Sequence, residues 1–360
     1  MQRNTRVSAG LAWALVLTAS CSPTPIDNLP GDNDSGTNPT DSGVPTNDMG
    51  TVNPVDGALP PPPPPPGGRT DGAGVQVSAA TASACARRQT GAVVCWGNNN
   101  AFMLGDGTMM TREAPVIVPG ISDATEVSIG PFHACAVRAS GNVMCWGTNR
   151  NAQLGDGTSV DRPMPVQVNL LDDAVHVAVG FTHTCAVRRS GQVVCWGLNT
   201  SGQVGDGTNN QRERPVLVGG ADDITALATG FNHTCAIRQN GGVLCWGAND
   251  QGQLGTGNTA NANMPTVVPG LLDVVAIAAG ARHTCAVRAS GEVVCWGANM
   301  NGQLGDGASA SRPMPGAVMG VTDATSVAAG ANTTCARSRT GAVRCWGAGG
   351  SGQLGNATTA

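Results

Sequence analysis

The sequence predicts an all-β fold: a β-propeller of about six 50-residue repeats. Each repeat forms a four-stranded blade with one disulfide, and the last blade is incomplete. Three observations carry this expectation. A Cys, nine residues, then Cys-Trp-Gly recurs six times at a 50-residue spacing. The pairs are Cys85 with Cys95, Cys135 with Cys145, Cys185 with Cys195, Cys235 with Cys245, Cys285 with Cys295, and Cys335 with Cys345. A fixed period of this size marks a repeat architecture. Each repeat holds short β-branched and small apolar runs bounded by turn residues, too short for helices. Both faces of those runs are apolar, so the sheets need cover on both sides, which blade stacked on blade supplies.

The unit 266–315 shows the elements in order. Val274 to Ala279 reads as a first strand closed by Gly280, His283 to Arg288 as a second and Glu292 to Trp296 as a third. Gly297 to Pro315 is rich in turn residues, and a short outer strand follows at the equivalent of Val216 to Val218. Gly91, Gly141, Gly191, Gly241, Gly291 and Gly341 occupy one position between the second and third strands. A three-residue hairpin loop needs a left-handed residue there, which Gly adopts without steric cost. That turn sets Arg288 against Glu292 and, counting back, Cys285 against Cys295, within disulfide reach.

Metal binding competes for these cysteines, because His133, His183, His233 and His283 each precede a Cys by two residues. The first and last units carry Ser83 and Thr333 instead and keep their Cys pairs, where a zinc set would lose a ligand. Disulfides are therefore expected, with no metal and no other cofactor. They also indicate an oxidising compartment.

The N-terminus agrees with export. Arg3 and Arg6 precede a short apolar run, Val7 to Ala19, which is too short to span a bilayer and reads as a signal peptide over 1–20. Leu17-Thr18-Ala19-Ser20-Cys21 resembles a bacterial lipobox, with Leu17 four residues before the Cys rather than three. The resemblance implies lipidation of Cys21, the thirteenth cysteine. It also implies an outer-membrane or cell-surface lipoprotein, with the periplasmic side as the alternative and Ser22 favouring the outer membrane. Residues 21–74 carry seven Asp, one Arg and the run Pro60 to Pro66. Such a stretch buries too little apolar area to order itself, and reads as a disordered acidic Pro-rich tether. The repeat domain spans 75–355, and 356–360 is a tail.

The repeat domain holds 17 Arg against 13 Asp and 4 Glu, so its formal charge is zero. No basic face is available for nucleic acid. Contact with a membrane is expected only through the anchor, and the chain is expected to be monomeric.

The segments Ala279-Gly280-Ala281-Arg282-His283-Thr284 and Trp296-Gly297-Ala298-Asn299-Met300-Asn301-Gly302-Gln303-Leu304-Gly305-Asp306-Gly307 resemble the regulator of chromosome condensation repeat family. The resemblance implies a propeller of four-stranded blades. Its best-known members have seven blades, whereas six units are present here. A six-bladed ring with one three-stranded blade is expected, against an open arc or a seventh blade supplied otherwise. The eukaryotic namesake is a guanine-nucleotide exchange factor; for an exported chain that activity rests on fold analogy alone.

No catalytic residues are assigned, because the recurring His sit in equivalent slots without a carboxylate at fixed spacing. They read as structural hydrogen-bonders holding the loops after Gly130, Gly180, Gly230 and Gly280. Gly-Asp-Gly-Thr at 105–108, 155–158 and 205–208 offers one carboxylate per turn, too few for Ca²⁺, and reads as turn chemistry. The repeated Trp reads as blade packing.

Binding through loops remains. Residues that differ between near-identical units are free of packing constraint, and the pair after each recurring Gly is one such place. Phe132, Phe181 and Phe231 fall there, with Asn232 and Arg282 in the same loops. Equivalent loops share a propeller face, so these residues form a candidate binding cluster for an unidentified protein; plugging of the central channel is the alternative. The expected function is a non-catalytic protein-binding module, the alternative a cell-envelope hydrolase. A hydrolase requires a concave site with a convergent carboxylate, His or metal, which is expected to be absent.

Overall fold

The computed structural model describes residues 16–17 and 74–357. The expected leader other than Val16 and Leu17, Cys21, the tether up to Ala73 and the tail from Thr358 lie outside the described residues.

Six antiparallel sheets follow one another along the chain as blades of a propeller. Blade 1 consists of Gly74–Ala79, Ser83–Arg88, Val93–Gly97 and Arg112–Ile117, from the axis outward. Blades 2 to 5 repeat these four strands, ending with Val274–Ala279, His283–Arg288, Val293–Gly297 and Arg312–Ala317 in blade 5. Blade 6 has three strands among the described residues: Ala324–Ala329, Thr333–Ser338 and Val343–Gly347. The innermost strands of successive blades lie side by side. Val16–Leu17 runs parallel to blade 1's innermost strand, opposite Ser78 and Ala79.

The hairpin turn sets the register. The Arg288 N–H donates to the Glu292 carbonyl at 2.9 Å and the Gly291 N–H to the Arg288 carbonyl at 2.9 Å. Gly291 has φ of 91°. A Cβ there would also lie 2.7 Å from the Thr322 carbonyl of the next repeat. The turn brings Cys285 directly opposite Cys295, with Cα atoms 4.1 Å apart.

Every blade carries the expected bridge across its two middle strands. Cys85 is joined to Cys95, Cys135 to Cys145 and Cys185 to Cys195. Cys235 is joined to Cys245, Cys285 to Cys295 and Cys335 to Cys345. All six pairs are directly opposed in register, so the sulfurs meet within a blade and never between blades.

The outer strand differs from its expected bounds. It covers Arg212–Leu217 rather than Val216 to Val218, and in blades 2 and 5 it contains two prolines, Pro163 and Pro165 or Pro313 and Pro315. Proline reads as turn chemistry, yet an edge strand tolerates it because one row of N–H groups needs no partner.

Five buried cores join the blades, each between the cysteine face of one and the tryptophan face of the next. Between blades 2 and 3, Cys135, Val137, Val143 and Cys145 pack against Val177, Ala186, Val194 and Trp196. The same arrangement joins blades 1 and 2, 3 and 4, 4 and 5, and 5 and 6. Thus Cys95 faces Trp146, Cys195 faces Trp246 and Cys245 faces Trp296. Among the described residues no such core joins blade 6 to blade 1.

Candidate functional site

The loops after the innermost strands build one end of the central channel. Glycine is required in them by close approach: a Cβ on Gly180 would lie 2.7 Å from the His183 ring and 2.9 Å from the Gly230 carbonyl. Neighbouring loops are linked backbone to backbone, with the Phe231 N–H donating to Ala281 O at 3.3 Å and the Ala281 N–H to Ala331 O at 3.0 Å. Equivalent side chains are thereby set beside one another. Phe132 and Phe181 meet edge to face with centroids 4.7 Å apart, and Phe181 and Phe231 lie 4.4 Å apart at 37°. Such pairs contribute about 0.5–1.5 kcal/mol beyond their burial. All three rings are half-buried.

Phe181 and Phe231, with Pro131, Ala281 and Ala331, line the mouth of a cavity of about 680 Å³ that follows the axis. Asn232 and Arg282 are turned to other partners. The Asn232 amide oxygen accepts a hydrogen bond from Gln203 at 3.4 Å, and Arg282 is exposed and ion-paired to Asp250 at 2.9 Å.

The cavity wall is uneven. At one level of the innermost strands stand Gln76, Glu126, His176, Ala226, Ala276 and Ser326, so its apolar side belongs to blades 4 and 5 and its polar side to the rest. Those polar side chains cross to the next blade. Gln76 accepts the Val127 N–H at 3.0 Å, Ser78 the Ile129 N–H at 3.1 Å and Ser128 the Val179 N–H at 3.3 Å. Glu126 contacts His176 Nδ1 at 2.8 Å and accepts the Val177 N–H at 3.3 Å, while His176 Nε2 faces the Leu227 carbonyl at 3.4 Å. Burial disfavours the charged imidazole, but the Glu126 carboxylate and the Leu227 carbonyl outweigh it and hold His176 above its ordinary pKa. The expectation that no carboxylate and His converge in a concave site is therefore corrected. His176 was legible as the one histidine outside the repeated slot.

The repeated histidines hold neighbouring blades together, a role beyond the expected support of their own loops. His133 Nε2 lies 2.7 Å from Thr184 Oγ1, and His183, His233 and His283 repeat the contact with Thr234, Thr284 and Thr334, always 51 residues on. The Thr184 hydroxyl donates to the Gln153 carbonyl at 2.8 Å, which also accepts the Trp196 indole N–H at 2.8 Å. The threonine's only proton is thus committed, so His133 Nε2 must be the donor. Nδ1 of all four rings is buried without a partner. Burial pushes their pKa values down to about 3, so the rings are neutral at neutral pH.

The losses of this latch are coupled. At the junction of blades 1 and 2, Ser83 replaces His, Ala134 replaces Thr and Met103 replaces Gln. Where blade 6 would meet blade 1, Thr333 and Ala84 replace His and Thr, and Trp96, half-buried, has no carbonyl partner among the described residues.

The Gly-Asp-Gly-Thr turns are structural. Asp156 Oδ1 accepts from the Thr158 N–H and hydroxyl, and Asp156 Oδ2 pairs with Arg162 at 2.7 Å. Burial opposes ionisation, but these bonds outweigh it and the carboxyl lies below its usual range. In the fourth unit Thr256 replaces the Asp and Ala262 replaces the Arg, so the pair is lost as a pair. Among the described residues no group of three His, Cys, Asp or Glu is arranged to hold a metal ion.

The family model of the RCC1-like domain matches residues 66–360. Among solved structures, human WBSCR16 is similar at 23% identity and a TM-score of 0.65, covering 71% of this chain and 70% of its own. Saccharomyces cerevisiae Prp20p is similar at 21% identity and a TM-score of 0.70, covering 79% and 74%. Yeast RCC1 (Prp20), from a structure in which it is bound by Kap60, is similar at 22% and 0.67, covering 76% and 70%. A search of curated proteins returned no match.

Proposed function

Because the chain belongs to the RCC1-like domain family, we propose that this propeller is a non-catalytic protein-binding module, exported and anchored through lipid on Cys21. The observation that carries the reading is the contiguous cluster of Phe132, Phe181 and Phe231. Phe181 contacts both Phe132 and Phe231, and all three rings remain half-exposed, as aromatic anchors do at protein-binding centres. A bridge in every blade supports an oxidising, exported setting. Prp20p is described with binding properties to Gsp1p and histones, which makes protein recognition a use of this fold elsewhere.

The test is capture from envelope extracts, after crosslinking in place, with the wild-type domain and a variant carrying both Phe181→Ala and Phe231→Ala. The reading expects a partner lost by the variant at nearly unchanged thermal stability. A large drop in stability marks the rings as a channel plug and overturns it. The hydrolase alternative draws on one observation, the Glu126–His176 pair within the cavity. It is tested by hydrolysis of ester and amide substrates by wild type and Glu126→Gln. Nucleotide exchange rests on fold analogy alone.

A further inference from the structure

Ten of the twelve bridged cysteines are 0% exposed, each pair covered by the following blade. Cys335 and Cys345 are the exception: both are partly exposed, on a face of blade 6 over which no further blade packs among the described residues. The sequence around this pair also departs from its repeats. Arg337 stands where Val137, Val187, Ile237 and Val287 fill inter-blade cores, a slot that Arg87 holds in blade 1, and Arg344, on the opposite face of the hairpin with Ala336 and Trp346, donates to the Gly320 carbonyl. Arg337, Arg344 and Val343 are exposed, with Val343 at 57%. The strand pair 333–347 carries three Arg and no acid, while the equivalent pair 283–297 balances Arg288 with Glu292.

We propose that Cys335–Cys345 is a thiol–disulfide exchange site for anionic thiols, and that the five other bridges are inert in the folded protein. Exchange needs an attacking thiolate with access to a sulfur, and a leaving thiolate that is stabilised. Exposure supplies access at this bridge alone. Arg337, two residues from Cys335 and therefore on the same face of its strand, favours the thiolate and attracts a negatively charged attacker. The thiolate of the anionic thiol attacks one Sγ and forms a mixed disulfide. The Cys335–Cys345 S–S bond breaks, and its electron pair leaves on the other Sγ as thiolate in the field of Arg337. A second thiolate resolves the mixed disulfide, giving the oxidised small-molecule disulfide and two protein thiols.

The experiment treats the native domain with reduced glutathione, quenches with iodoacetamide and maps alkylated cysteines by mass spectrometry. Cys335 and Cys345 should react about tenfold faster than any other pair, since exposed bridges are the labile ones. Arg337→Glu should slow the reaction with glutathione several-fold, and that with 2-mercaptoethanol, which carries no further charge, to a smaller extent. Circular dichroism confirms that the variant is folded. Simultaneous reduction of all six bridges, earlier reduction of another bridge, or a rate with glutathione indifferent to Arg337→Glu overturns the proposal.

Discussion

Blades 2 to 5 and blade 6 are written in nearly the same residues, yet they end in different physical states. Trp196 and Trp246 are fully buried, while Trp346 is only partly buried although its indole N–H makes the same bond, to Gln303 O at 2.9 Å. The hydrogen bond and the facing core are supplied by the preceding blade; what Trp346 lacks is a fourth strand beside its own, which Arg212–Leu217 provides next to the strand of Trp196 and which blade 6 does not have among the described residues. A blade is half of two interfaces, and its stability is a sum over neighbours.

The comparison breaks most visibly at the tryptophans. Trp196→Ala should cost about 3–5 kcal/mol in urea denaturation, as expected for a large buried aromatic. Trp346→Ala should cost about half as much, since less apolar area leaves water. Equal losses would show that the fourth strand contributes nothing.

Acid is the next lever. The four latch histidines bind a proton in the unfolded chain below about pH 6.5 but in the folded one only near pH 3. Their contribution is complete above the unfolded value and is lost as pH falls from about 6.5 towards 3. Melting temperature should fall steadily from pH 7 to pH 4, and His183→Gln should flatten the slope. His176 works in the opposite sense: its raised pKa adds stability at low pH that fades as pH rises through its titration. Glu126→Gln should remove that part alone.

Thr234→Val tests the latch itself. It leaves the His183 donor buried without an acceptor and should cost about 2 kcal/mol by chemical denaturation. Ser83→Ala, at a junction with no latch, should cost well under half of that.

The smallest effect sharpens the pairing of Asp206 with Arg212. Asp206→Thr alone should cost about 1 kcal/mol. Combined with Arg212→Ala it should cost less than the sum of the single changes, because the fourth unit already carries Thr256 and Ala262.

Much of this was legible in the chain. The hairpin glycine and the nine-residue gap fixed which sulfurs meet, because both are local. The aromatic cluster followed from repeat symmetry, which brings equivalent loops, 50 residues apart, side by side. The latch was not read, because each donor and acceptor lie 51 residues apart in different blades. Its signal was present all the same, in the joint replacement at Ser83, Ala134 and Met103. The pair Glu126 and His176 escaped for the opposite reason: it occurs once, so periodicity says nothing about it.

The span of 51 residues between latch partners has a consequence for how such chains can change length. Every inner junction presents the same donor on one side and the same acceptor on the other. Excising or duplicating any in-frame 50-residue segment within these units would rejoin matching surfaces, and only the angular fit of the circle would register the change. Unequal crossing-over between the near-identical gene segments would thus yield proteins whose new seams are already compatible.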